Sequence, residues 1–184
     1  MDFDELDDRT RGYMLRQFLL EEAGRPYRSP ILSSAGSEAF PVLMRAAIET
    51  GNEQTLGGAL AQRTFWLEEE PYNLRGVQRW RRVNREQAAT RLAVTEFTTW
   101  HATGLSARLI DEGVAMCQVY RAGQPKWEPA ACSAHEGLLL PVQAVHDGHR
   151  IHYWPRPGNP DALSVPFGPS CHHTIRRTAM DARS

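Results

Sequence analysis

The chain is almost devoid of lysine: of its 21 basic residues only Lys126 is one, and the rest are arginine. Cysteine is scarce too, with three in 184 residues, and no stretch approaches the ~20 consecutive apolar residues of a membrane span. Phosphate-binding loops, dinucleotide fingerprints, G-x-S-x-G elbows and H-E-x-x-H helices are all missing. The lack of lysine reads as coding bias. So few cysteines exclude a disulfide-built secreted scaffold, and the missing apolar run excludes a spanning helix. The missing motifs leave catalysis and a small-molecule substrate without positive support. The opening "MDFDELDD" is acidic where a secretory signal needs basic residues followed by an apolar run. A cytosolic setting is therefore expected, in which Cys132 and Cys171 stay reduced and metal binding is the better use of them.

What is present suffices for a core. The chain is 41% hydrophobic with five Trp, which favours one domain, or a domain with a helical extension. The formal charge of −1 is unevenly spread: five of the first eight residues are acidic, whereas "LRGVQRWRRVNR" (74–85) sets five Arg around Trp80. Arg75, Arg79, Arg81, Arg82 and Arg85 form a candidate phosphate-gripping or protein-contact face, since arginine presents a fixed fork of donors. The same pattern also fits a solvated loop and helix start.

Apolar spacing predicts a helix over 5–23 ending at Gly24, a second from Ser37 as N-cap to Thr50, and a weaker third over about 53–67. The clearest helix is 84–112: Asn84 with Gln87 resembles a capping box, apolar positions recur every three or four residues, and Gly113 is placed to end it. At about 43 Å it is longer than a small domain requires and is expected to link two halves. Beyond it the period changes. "VAMCQVYRA" predicts a strand, and "PVQAVHDGHRIHYW" predicts two short strands joined by Asp147-Gly148, with His146 and His149 as cross-strand neighbours. The expected class is α+β, with N-terminal helices, one long connecting helix and a small zinc-tied, β-rich C-terminal unit. The division falls between residues 1–83, helical with an Arg-rich loop, and residues 84–184.

The chemistry sits in Cys132-Ser-Ala-His135 and, after 35 intervening residues, Cys171-His172-His173. A tetrahedral zinc takes four N or S donors, and closely spaced pairs let one loop supply two of them. Cys132, His135, Cys171 and His173 are the expected ligands, with His172 as the alternative to His173. Such a site contributes an apparent ~10–16 kcal/mol in structural zinc peptides, enough to fasten the Pro- and Gly-rich connections around it. Glu136 is a conceivable general base, but four protein ligands leave no open position for a water. Cys117, in an expected buried strand, reads as core.

The C-terminal ~95 residues resemble the Mu F-type minor head morphogenesis domain of tailed bacteriophages. The residues that carry the resemblance are Val94-Thr95-Glu96 on the long helix, Gly113-Val114, "CQVYRA", Cys132-Ser-Ala-His135, "EGLLLPV" and above all "VPFGPSCHHTI". In the closing segment Pro166, Phe167, Pro169, Cys171, Thr174 and Ile175 fall in step with the family signature. Both second cysteines of the family's pairs are histidine here, Gly168 stands where the family often has histidine, and His172 stands where it has arginine. The resemblance implies a structural protein of the capsid interior, assembled in the host cytoplasm, that contacts portal or other capsid proteins and the packaged DNA. Two other classes remain open: a zinc-stabilised DNA-binding protein, and a nuclease of the HNH or treble-clef kind that uses His172 to activate water.

Overall fold

The computed structural model describes residues 1–124, 131–152, 161–168 and 171–178, apart from the side chains of residues 131 and 132. Cys132 as a side chain therefore lies outside the described residues, as do most of the Pro- and Gly-rich stretches on either side of the expected ligands. The elements are α1 (Asp8–Ala23), α2 (Ser34–Thr50), α3 (Glu53–Leu60), β1 (Glu69–Leu74), β2 (Val77–Arg82), α4 (Arg85–Asp111), β3 (Met116–Arg121), β4 (Leu139–Pro141), α5 (Val142–Asp147) and β5 (His173–Arg177). The chain is α+β.

Local chemistry sets the helix ends. The Asp7 carboxylate accepts from the Thr10 amide at 2.8 Å and starts α1. α2 begins one turn earlier than expected, because Ser33 rather than Ser37 caps it, accepting from Gly36 N–H at 3.1 Å. It also runs through Pro41, which has no N–H for the Ser37 carbonyl; the Arg28 guanidinium donates to that carbonyl instead, at 3.1 Å. α3 stops at Leu60, short of the expected end, and the Trp66 indole N–H caps its last carbonyl at 2.7 Å. Asn84 and Gly113 bound α4 as the sequence predicts, Gly113 with φ of +73°.

Two apolar clusters share α4. Its first half, from Ala88 to Trp100, packs with Met14, Phe18, Phe40, Met44, Ile48, Leu56, Leu60 and Trp66. Its second half, Ala102, Leu105 and Leu109, packs under the sheet with Cys117, Val119, Val142, Val145, Val165 and Ile175. That sheet is antiparallel in the order β4-β3-β5. The long helix is thus a spine common to both cores.

Two expectations are corrected. Residues 142–147 are helical, and Asp147-Gly148 ends a helix rather than turning a hairpin. β4 is used up by three residues, and the turn of α5 then buries Val142, Ala144 and Val145 together, which an extended chain would place on opposite faces. His146 and His149 are consequently not cross-strand neighbours. The Arg-rich stretch ends at the start of α4, as expected, but the rest of it is not a loop: β1 and β2 form a hairpin in which Tyr72 faces Arg79 and Pro71 faces Trp80. Its two-residue turn is Arg75-Gly76, both at positive φ (+54° and +81°), as the primed turns of tight hairpins require.

His149 and Arg150 enter a buried polar knot. Arg150, at φ of +58°, is 4% exposed and donates to both Glu96 oxygens at 2.9 and 2.7 Å and to Glu21 at 3.1 and 3.3 Å. His149 bridges Glu21 (2.7 Å) and Thr103 (2.8 Å). Burial opposes ionisation of Glu21, yet His149 and Arg150 hold its carboxyl down at about 2. The acidic residues near Met1 find arginines: Asp4 pairs with Arg176, Glu5 with Arg177 and Asp7 with Arg108. This strap crosses α4 and β5, and Phe3 packs against Phe97 and His101.

α1 and α4 cross at Gly104, where an added Cβ would lie 2.4 Å from Met14 Cγ and 2.7 Å from Met14 N. Gly104→Ala is expected to cost about 1–3 kcal/mol. Gly58→Ala, in α3 with nothing within 4 Å of the new atom, is expected to stabilise by up to about 1 kcal/mol. Thermal melts of the two variants check the crossing. A second prediction concerns His101, whose Nε2–H donates to the Asp4 carbonyl (3.0 Å) while Nδ1 accepts from Thr174 (2.8 Å). Burial lowers its pKa from 6.5 to about 4, so the folded imidazole is neutral. Unfolded chains bind this proton first, so the fold should lose stability as pH falls from 6.5 towards 4. In His101→Gln this part of the stability–pH curve should flatten.

Candidate functional site

The expected donors come from three places around β3. The antiparallel pairing of β5 sets His173 opposite Arg121 and Thr174 opposite Tyr120, and strand alternation sends these two side chains to opposite faces. Thr174 meets His101 on α4, whereas His173 turns to Cys171, with Nδ1 3.5 Å from Sγ. Two ligands of one tetrahedral zinc, at about 2.3 Å for sulfur and 2.1 Å for nitrogen, lie roughly 3.6 Å apart. The pair therefore has the spacing of co-ligands, a spacing a thiol–imidazole hydrogen bond shares. His172 leaves this group and lines a cavity of about 630 Å³ with Asp2, Arg121 and Glu136.

His135 closes a short 3₁₀ turn, Ala131–His135, which also carries Cys132. Hydrogen bonds of 2.8 Å from Val119 to the Leu138 carbonyl and 2.9 Å from Gly137 to the Val119 carbonyl seat the chain beyond it on β3. Arg121 adds to this by donating to Ser133 at 2.8 Å and pairing with Glu136 at 3.2 Å. The His135 ring stacks on Phe167, with centroids 3.9 Å apart and planes 18° from parallel, and Phe167 meets His173 edge-on at 6.3 Å. The C-x-x-H turn and the closing segment thus converge on one aromatic ring, far apart though they are in sequence.

Two buried imidazole nitrogens in this group, His135 Nδ1 and His173 Nε2, have no hydrogen-bond partner among the described residues. Buried polar atoms are nearly always satisfied, so orphaned imidazole nitrogens beside a thiol fit a site that takes an ion. His173 is held below its ordinary pKa by burial and then by the nearby Arg121 charge, against the pull of Glu136. The ring is thereby kept neutral, which is its ligating form. Among the described residues no three metal-competent side chains converge tightly enough to hold an ion; the Cys132 side chain lies outside them. Glu136 faces Arg121 and is half exposed, so it is engaged by a guanidinium. Burial pushes the Cys117 thiol up to about 12, and its sulfur lies against the Leu140 carbonyl, which makes it inert core.

The second candidate face is the hairpin. All six residues of β2 are exposed, Trp80 to 62%. Arg81 pairs with Glu70 and lies over the Tyr72 ring, and Arg91 of α4 reaches the same Glu70. Arg75, Arg79, Arg82 and Arg85 have no carboxylate partner among the described residues. Arg75 holds its place at the tip in a left-handed conformation that costs a side-chain-bearing residue about 1–2 kcal/mol. The polar knot of Glu21, Glu96, His149 and Arg150 was missed by sequence reasoning. Its one signal was a carboxylate, Glu96, set within the apolar stripe Ala93, Phe97, Trp100.

Comparison with protein-family models, curated proteins and solved structures finds no match to the chain. No helix among the described residues is long and apolar enough to cross a membrane.

If these donors hold an ion, chelation should loosen the end of the chain they occupy. Cys171→Ser and His135→Ala are expected to speed amide exchange at 131–138 and 171–177 and to abolish the effect of chelator. His146→Ala, a partly exposed control, should leave both unchanged. His149→Ala would be no such control, because it would break the buried polar knot.

Proposed function

We propose that this chain is a non-catalytic structural protein of a tailed-phage or prophage head, a minor capsid component that acts by contact. In this reading a zinc ion held by Cys132, His135, Cys171 and His173 clasps its C-terminal end. The observation that supports it is the approach of two distant segments at one ring beside β3: His135 stacks on Phe167, Phe167 meets His173 edge-on, and Cys171 lies against His173. These residues belong to the two segments that carry the resemblance to the Mu F-type domain, and nothing in their sequence separation obliges them to meet. The zinc is structural: it fastens the turn at 131–135 to the start of β5.

The nuclease alternative is weaker for a specific reason. Four protein ligands close a tetrahedral site, and Glu136, the nearest candidate base, is paired with Arg121. Work by contact suits the rest of the surface, since the exposed hairpin offers a face to portal protein, capsid protein or packaged DNA. The proposed location is the capsid interior, reached from the host cytoplasm during assembly.

Two measurements test the reading. Native mass spectrometry of the purified chain should find one zinc per chain, lost in Cys132→Ser. Purified particles from the encoding phage or induced prophage should contain the protein, and the protein alone should not nick DNA above background with zinc or magnesium. Absence from particles, or cleavage abolished by His172→Ala, overturns the structural role.

A further inference from the structure

Ten arginines of this chain form ion pairs with carboxylates among the described residues. Arg28 pairs with Glu22, Arg45 with Glu49, Arg108 with Asp7 and Glu112, Arg176 with Asp4, and Arg177 with Glu5. The protein as a whole is close to neutral, with formal charge −1. Against this background the β1–β2 hairpin stands out. Residues 69–85, the hairpin and the start of α4, carry five Arg against two Glu, and four of the arginines form no ion pair among the described residues.

The hairpin is also built to project. Its substantial packing is strand on strand, and among the described residues neither strand has a further partner on its outer edge. It is rooted at its base by the buried Val83, whose amide donates to the Glu68 carbonyl at 2.9 Å, and by the Leu32–Trp66 bridge. Six residues per strand give an arm of about 20 Å. The cross-strand register puts Asn73 and Gln78, Pro71 and Trp80, and Glu69 and Arg82 on one face. That face offers an exposed indole flanked by amides, with the Arg82 guanidinium opposite the Glu69 carboxylate; Arg79 lies on the other face, with Tyr72, Arg81, Leu74 and Val77. Leu74 and Val77, exposed to 45% and 57%, face each other just behind the Arg75-Gly76 tip.

We infer that this hairpin is a nucleic-acid-binding arm. Arg75, Arg79, Arg82 and Arg85 bind the phosphodiester backbone without regard to sequence, and Trp80 provides a stacking surface. A two-stranded ribbon is of a width that the major groove of a duplex admits, and guanidinium forks match phosphate oxygens. The exposed apolar pair near the tip fits contact with sugars and base edges, as at the wedges of groove-binding proteins. The shared ligand chemistry is a run of phosphodiesters, and duplex and single strand are its two possible sources. The inference names a partner for the contact face of the proposed function but does not depend on the metal centre, so either can fail alone.

The test is fluorescence anisotropy of the full-length protein with a labelled duplex of random sequence and with the same strand unpaired, over about 50 to 200 mM salt. Four phosphate contacts at a slope of roughly −0.9 each predict a loss of about 100-fold in affinity for the duplex over that range. Arg79→Ala/Arg82→Ala should reduce the slope by about 2, and Arg75→Ala/Arg85→Ala by a similar amount. Trp80→Ala should weaken single-strand binding by roughly tenfold and leave the duplex slope unchanged. Arg16→Ala/Arg45→Ala removes the same charge elsewhere and should change little; circular dichroism confirms that all variants fold. Several results overturn the inference: no binding to either nucleic acid, a slope indifferent to the hairpin substitutions, or an equal loss in the Arg16/Arg45 control. A hairpin needed for binding portal or capsid protein, with nucleic acid ignored, would assign the arm to a protein partner instead. Unchanged single-strand affinity in Trp80→Ala would remove the stacking role.

Discussion

The buried pairing of Arg150 with Glu96 and Glu21 fixes how the two halves of this protein meet. Two carboxylates and a guanidinium taken out of water are costly unless every lone pair and proton finds a partner. Here both oxygens of Glu96 and of Glu21 accept from Arg150, and the rings of Tyr27 and Trp100 lie 4.5 and 5.4 Å from the guanidinium carbon. Such a site tolerates one arrangement. It ties the end of α1, the middle of α4 and the turn after α5 to a single register, where the helical cluster gives way to the cluster under the sheet. Buried ion pairs of this kind add little net stability over an apolar filling. Their contribution here is geometric: α4 cannot slide along α1 without stranding a charge.

The elements legible in the sequence are those with a local cause. α1 and α4 follow from apolar spacing, an Asp or Asn cap and a terminal glycine, and β3 from a β-rich run with alternating burial. Where the cause lies at a distance, the sequence misleads. Nothing in "AGSEAFPV" reveals that Arg28 will satisfy the carbonyl orphaned by Pro41 and let α2 continue. Asp147-Gly148 suits a hairpin and a helix end equally well, and the choice rests on β4 being only three residues long. The β1–β2 hairpin escaped because β2 is exposed at every position and so has no apolar period to detect. Spacing alone made 132–135 and 171–173 legible as candidate donor pairs. Phe167 as the ring between them, and Arg150 as the partner of a carboxylate 54 residues away, were not legible.

Charge is handled in two contrasting ways. At the acidic start of the chain, Asp4, Glu5 and Asp7 pair with Arg176, Arg177 and Arg108, holding residues 1–7 across α4 and β5. The near-zero net charge therefore conceals internal pairing among the described residues, in which ten arginines are engaged by carboxylates. Arg16 and Arg63 also lack an ion pair among the described residues, so what sets the hairpin arginines apart is their clustering on one exposed projection. An arginine at a positive-φ tip, where glycine or asparagine would be unstrained, points the same way.

The polar knot and the donor cluster also divide one task. The chain between α5 and β5 is long, and ordering it costs entropy that grows slowly with loop length. Arg150 anchors its near end. In the middle, Leu163 donates to the Ala144 carbonyl at 3.0 Å and Val165 is buried beneath the sheet. At the far end Phe167 lies on His135, and Cys171 and His173 open β5. An ion at the donor cluster would add the last fastening to a segment already pinned twice, so its influence belongs at that end of the sheet. The helical cluster, locked through α4 and the Arg150 knot, does not need it.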